Sequence, residues 1–237
     1  MKNLFRYSFW IAVLLLGISC SKEAPAPENE KEDLGHELPS RVEVISTEMV
    51  QQGNDFIRTS STQKQVYTVN GVSGLISSGD TFQWKRNVRY LLEIVYYNSN
   101  NQRMNNEFVD AQMAPIHQHF FRVEGKTTAQ MDEILTYSYQ DTNPETGYLG
   151  EANVTLLKRS WDKNQPDGLD PIGLKGVFYA QGEAQQLKLR ITLAHFLGAE
   201  RGFNKLQNGQ VRKYNELPSA SFFASDFDVS LPVTIVE

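Results

Sequence analysis

The sequence predicts an all-β fold, an antiparallel β-sandwich, from three observations. Runs of four to ten residues rich in Val, Ile, Tyr, Phe and Thr recur from Pro39 to the C-terminus. Gly, Asn, Asp and Pro punctuate them at short intervals. Helical periodicity is confined to one short stretch. The chain has 237 residues, 40% of them hydrophobic, with a net charge of −5. That composition supports a real core. The mild acidity argues against a nucleic-acid partner, which would require clustered Lys and Arg.

The elements follow in order. Lys2 and Arg6 precede the apolar run Phe9–Leu16, then Gly17-Ile18-Ser19 and Cys20. This is a signal-peptide layout over residues 1–19, and the run is shorter than the roughly 20 residues of a membrane span. Residues 20–38 carry Pro25, Pro27 and many Glu, Asn and Lys, so they read as a disordered tether. Strands are expected at Val42–Ser46, at Gln65–Val69 before the hairpin pair Asn70-Gly71, and at Thr81–Trp84. Tyr90–Tyr97 is long and apolar, as a central strand requires. Ile116–Val123, Ile134–Tyr139, Val154–Leu157, Gly176–Ala180, Leu187–Phe196 and Phe227–Val236 complete the set. Pro232 favours an edge position for the last strand. Thr127–Leu135 is the one helical signal, with Thr128 as its cap. An immunoglobulin-like or related sandwich over 39–237 fits this pattern. So do two smaller sandwiches, about 39–125 and 134–237.

The candidate chemistry lies in histidines. On a strand, residues i and i+2 face the same side about 6 to 7 Å apart, so His117 and His119 are a natural start for a metal site. His195 ends the run Leu187–Phe196, and strand pairing could bring it alongside. Imidazoles suit Zn²⁺ or Cu²⁺. The same pattern also fits buried strand histidines, each satisfied by a backbone or tyrosine partner. A second candidate is a calcium loop of Asp162, Asn164, Asp167 and Asp170. There Pro166 breaks the EF-hand spacing, and Pro166-Asp167-Gly168 is itself a turn. Trp84, Tyr96, Tyr97 and Trp161 are candidate sugar-stacking rings, although core packing explains such residues equally well. No G-x-S-x-G elbow, Walker A loop, H-E-x-x-H or paired Cys and His is present, so no enzyme activity is expected.

Several segments resemble a known family. Gly17-Ile18-Ser19-Cys20 is similar to a lipobox, in which the Cys is lipidated, although Leu16 stands four residues before Cys20 rather than the usual three. Ile116–Phe121 (IHQHFF), Asp141-Thr142-Asn143, Pro171–Leu174 (PIGL), Leu189–His195 (LRITLAH) and Asp226–Ile235 (DFDVSLPVTI) come in the order found in a family of Bacteroidota outer-membrane lipoproteins. That family has no assigned activity and is associated with TonB-dependent receptors. The resemblance covers most of 110–237. Tyr148–Asp167 looks like extra length, and Gln140 stands where the family has Thr. His117 and His195 match its pattern, and His119 does not. The acids that begin at Glu23 resemble a surface-export signal, diluted here by Pro. What the resemblance implies is one sandwich domain, anchored through Cys20 at the periplasmic face or the cell surface.

The expected function is a non-enzymatic membrane-anchored binding lipoprotein. Its cargo would be a metal held by His117, His195 and His119, and its partner a TonB-dependent receptor. The rivals are a protein-interaction module using the loops Tyr148–Asp170 and Gly198–Asn215, and a glycan-binding surface lipoprotein.

Overall fold

Alternating apolar residues set the strands in the computed structural model, which describes residues 38–53, 55–70, 74–151, 155–161, 169–196 and 205–237. In chain order these are β1 (Arg41–Gln52), β2 (Asp55–Asn70), β3 (Gly74–Ser78), β4 (Phe82–Lys85) and β5 (Val88–Tyr97). A short helix α1 (Asn105–Phe108) and a 3₁₀ turn (Ala114–Ile116) lead to β6 (His117–Val123), helix α2 (Thr128–Ile134) and β7 (Leu135–Tyr139). The two-residue strands β8 (Thr142–Asn143) and β9 (Leu157–Lys158) precede β10 (Lys175–Ala180) and β11 (Gln185–Phe196). Another short pair, β12 (Leu206–Gln207) and β13 (Gln210–Val211), comes before β14 (Phe223–Val236).

Two sheets form the sandwich. The larger has the order β3-β2-β1-β5-β10-β7 and is antiparallel throughout. The smaller has the order β4-β14-β11-β6, with one parallel pair, β4 and β14. Inward residues of β5 (Tyr90, Leu92, Ile94, Tyr96) meet those of β14 (Phe227, Val229, Leu231) and β11 (Leu189, Ile191, Leu193) in one core. Aromatic edges lock the layers: Tyr67 and Tyr96 each meet Phe227 with ring centroids 5.7 Å apart. Trp84 stacks on Tyr90 at 5.2 Å, and its indole N–H donates to Ser46 Oγ at 2.9 Å. That bond satisfies the one polar atom of a fully buried ring.

Several sequence expectations change. The division into two smaller sandwiches does not occur, because both sheets interleave the halves. β5, which pairs with β1 on one side, bonds to β10 on the other, β4 bonds to β14, and β6 bonds to β11. β14 is not an edge strand, since it lies between β4 and β11. Its pairing with β4 starts only at Val233, so Pro232, opposite Lys188, sits where no strand covers its other side. A proline's missing N–H is tolerated there. Helix α2 is capped by Thr127, one residue earlier than expected: its side chain accepts from Gln130 N, and Gln130 answers the Thr127 N–H in a capping box. The Asn70-Gly71 turn runs into residues outside those described. So does the expected strand Val154–Leu157: of its described residues, Thr155 and Leu156 lie in no strand and only Leu157 begins β9.

Candidate metal centre

Strand register builds the site. β6 and β11 are antiparallel neighbours, and His117 lies directly opposite His195. On β6 the inward positions are His117, His119, Phe121 and Val123; on β11 they include His195, Leu193, Ile191 and Leu189. All three imidazoles therefore point into the sandwich at one end. The rings of His117 and His195 meet at 4.5 Å, inclined by 66°.

The third member comes from a β-bulge. β14 pairs with β11 as Phe227 with Leu193 and then Ser225 with Ala194, so Asp226 is the extra residue. Simple alternation from Phe227, Val229 and Leu231 would turn Asp226 outward. The bulge re-aims its carboxylate inward, as bulges beside functional sites often do. Asp226 Oδ2 then lies 3.1 Å from His117 Nε2 and 3.5 Å from His195 Nδ1, with side chains 3%, 0% and 7% exposed.

Proton bookkeeping separates this cluster from His119. His117 Nδ1 is 2.9 Å from the carbonyl oxygen of Met113, which only accepts, so the ring proton sits on Nδ1. Nε2 of the neutral ring then presents a lone pair to a carboxylate oxygen. Two acceptors at that distance call for a proton or a cation between them. Burial lowers the His117 pKa, partly opposed by its hydrogen bond to Asp226, and so favours the neutral ring. His119 has no such need. Its Nδ1–H donates to Ile172 O at 3.2 Å, and Nε2 accepts from Tyr96 OH at 2.7 Å. Burial drives its pKa down to about 3.

The donor set of the cluster fits a divalent transition ion. One ligand atom from each of His117, His195 and Asp226 lies within 4.8 Å of the others. Ligands of one tetrahedral zinc, with bonds near 2.0 to 2.1 Å, lie about 3.4 Å apart. The separations of 3.1 and 3.5 Å to the carboxylate match that spacing. His117 also carries the outer hydrogen bond that orients a metal-binding imidazole, here to the Met113 carbonyl. The ring edge of Phe108 closes the back of His117, with centroids 5.4 Å apart.

Of the residues singled out in sequence, His117 and His195 come together. His119 does not join them as the third ligand, since both its nitrogens are engaged by protein groups; Asp226 takes that place. Cys20, Asp162, Asn164 and Asp167 lie outside the described residues. Asp170 is buried, and its carbonyl accepts from Arg159 Nε at 3.1 Å. Trp84 and Tyr96 are core residues, Tyr97 is covered by the Arg41 guanidinium at 3.7 Å, and Trp161 is half-buried, so these rings form no stacking platform. Sequence reasoning did not single out Asp226: the expected strand began at Phe227, and alternation from there would turn its neighbour outward; the one signal was its place at the head of the DFDVSLPVTI segment. No family model matches the chain, and no curated protein or solved structure was found to be similar to it.

Proposed function

We propose that this protein is a membrane-anchored, non-enzymatic binding lipoprotein whose β-sandwich holds one divalent transition ion, Zn²⁺ or Cu²⁺, through His117, His195 and Asp226. The observation that carries the reading is the single carboxylate oxygen, Asp226 Oδ2, shared by two imidazole nitrogens at 3.1 and 3.5 Å. Two neutral imidazoles and one carboxylate are a borderline donor set suited to these ions. The ligands come from three adjacent strands, β6, β11 and β14, so the ion would tie one end of the smaller sheet together. Their burial suits a resident ion better than a cargo handed on. The lipobox-like Cys20 supports anchorage, and the resemblance to Bacteroidota lipoproteins supports a place on the outer membrane beside a TonB-dependent receptor.

Chelator-stripped protein in detergent, titrated with Zn²⁺ by calorimetry, tests the site. One ion per chain is expected in the parent, with binding sharply weakened in Asp226→Asn and lost in the His117→Ala/His195→Ala double variant. Equal affinity in parent and double variant ends the metal reading. Crosslinking in membranes, with and without chelator, tests the receptor partnership separately.

A further inference from the structure

A second candidate site lies on the opposite face of the larger sheet. On β1 and β2 the register slips, so that Thr47 pairs with Thr62 but Met49 pairs with Arg58. Three residues of β2 thus oppose the single Glu48, and such a bulge bends the hairpin. Its end reaches across the sheet to the loop at 148–151: Arg58 stacks on the Tyr148 ring at 3.6 Å and pairs with Glu151 at 2.9 Å. Beneath this bridge runs a cleft of about 670 Å³, within the size range of small-ligand sites.

The charges of the cleft are unevenly spent. Arg58 is paired to Glu151, and Lys175 Nζ donates to the carbonyls of Glu145 and Gly147. Arg89 has no such partner. Its guanidinium lies over the rings of Phe56 at 4.3 Å and Tyr179 at 4.5 Å, and among the described residues it makes no hydrogen bond or ion pair. A half-buried cation in a groove, with two aromatic rings against its guanidinium and its N–H groups unused, is a ready receptor for a carboxylate. The lining carries three cations, Arg58, Arg89 and Lys175, against two carboxylates, Asp55 and Glu151, a net positive balance in a chain of net charge −5. The walls add uncharged hydrogen-bonding groups, Thr47, Thr62, Ser138 and Gln140, over an apolar floor of Leu91 and Val177. That combination suits a molecule bearing several hydroxyls and one acid group.

We propose that this cleft binds a sugar acid, with Arg89 taking its carboxylate and the Thr, Ser and Gln side chains its hydroxyls. The site is independent of the His117–His195–Asp226 cluster. The test uses the full chain in detergent, titrated with D-glucuronate and, in parallel, D-glucose, and followed by saturation-transfer NMR and calorimetry. Glucuronate is expected to bind and glucose to bind at least about tenfold more weakly, the weight of one charge-assisted contact. Arg89→Met should abolish the preference for the acid. Gln140→Ala, which removes one wall hydrogen-bonding group, should weaken glucuronate by a smaller factor. Far-UV circular dichroism identifies any variant that fails to fold. No glucuronate binding to the parent at millimolar concentration overturns the proposal. So does equal binding of the two sugars, or full retention of glucuronate binding by folded Arg89→Met.

Discussion

Removing the Asp141 carboxylate should be among the most damaging single changes outside the aromatic core. Asp141 is 3% exposed, and its two oxygens accept three backbone N–H groups: Oδ2 from Ile172 at 3.0 Å and Gly173 at 2.7 Å, Oδ1 from Lys175 at 3.0 Å. These bonds hold the 171–175 turn against β6, where the Ile172 carbonyl accepts from both the backbone N–H and Nδ1–H of His119. The turn cannot drift, because Gly173 has φ +89° and an added Cβ there would sit 2.9 Å from both His119 and Tyr139. In Asp141→Ala three buried donors lose their acceptor. At about 1 to 3 kcal/mol each, reduced by relaxation and water entry, the expected loss is about 3 to 5 kcal/mol. Asp141→Asn keeps one oxygen for Ile172 and Gly173 but turns an amide toward the Lys175 N–H, so about 1 to 3 kcal/mol should go. Burial raises the Asp141 carboxyl, against the lowering effect of the three N–H groups, so the comparison belongs at pH 8. Urea unfolding gives the differences from midpoints at constant slope. Amide exchange should show lost protection at Ile172, Gly173 and Lys175. A stability of Asp141→Ala within about 1 kcal/mol of the parent would refute the idea that this carboxylate organises the turn.

Three further outcomes can be checked. If the His117–His195–Asp226 cluster binds zinc, free Zn²⁺ at about a hundred times its dissociation constant should add about 2.7 kcal/mol. That raises the melting temperature by about 5 to 10 °C over chelated protein, and Asp226→Asn should lose the increment in differential scanning fluorimetry. Lys205 is fully buried, and burial lowers its pKa to about 7. Between pH 7 and its ordinary value near 10.4 the unfolded chain holds the extra proton, so stability rises with pH. The parent should gain about 2 kcal/mol more than Lys205→Met between pH 7 and 9; equal gains in urea unfolding would contradict the assignment. Ser46→Ala strands the Trp84 indole N–H and should cost about 1 to 3 kcal/mol, whereas Ser46→Thr, which keeps the hydroxyl, should recover part of that in the same assay.

The period-two patterning of single segments was legible in the chain, because each strand buries one face and its own residues record which. Runs such as Leu187–Phe196 and Phe227–Val236 therefore announce strands and their inward residues without reference to any partner. The shared face of His117 and His119 was readable for the same reason. Partnership was not. That β5 bonds to β10 and β6 to β11, closing one sandwich instead of two, depends on contacts between residues far apart in sequence, and local spacing carries no trace of them. The identity of the third group beside the histidines was hidden further still. His119 shares the inward face but is satisfied by Tyr96 and Ile172, a pairing only packing can create. Asp226 reaches the pair only because one residue is left over where β14 crosses β11. A bulge is a mismatch of count between two strands, so neither strand alone can encode it, and only their assembly decided which acid stands beside the imidazoles.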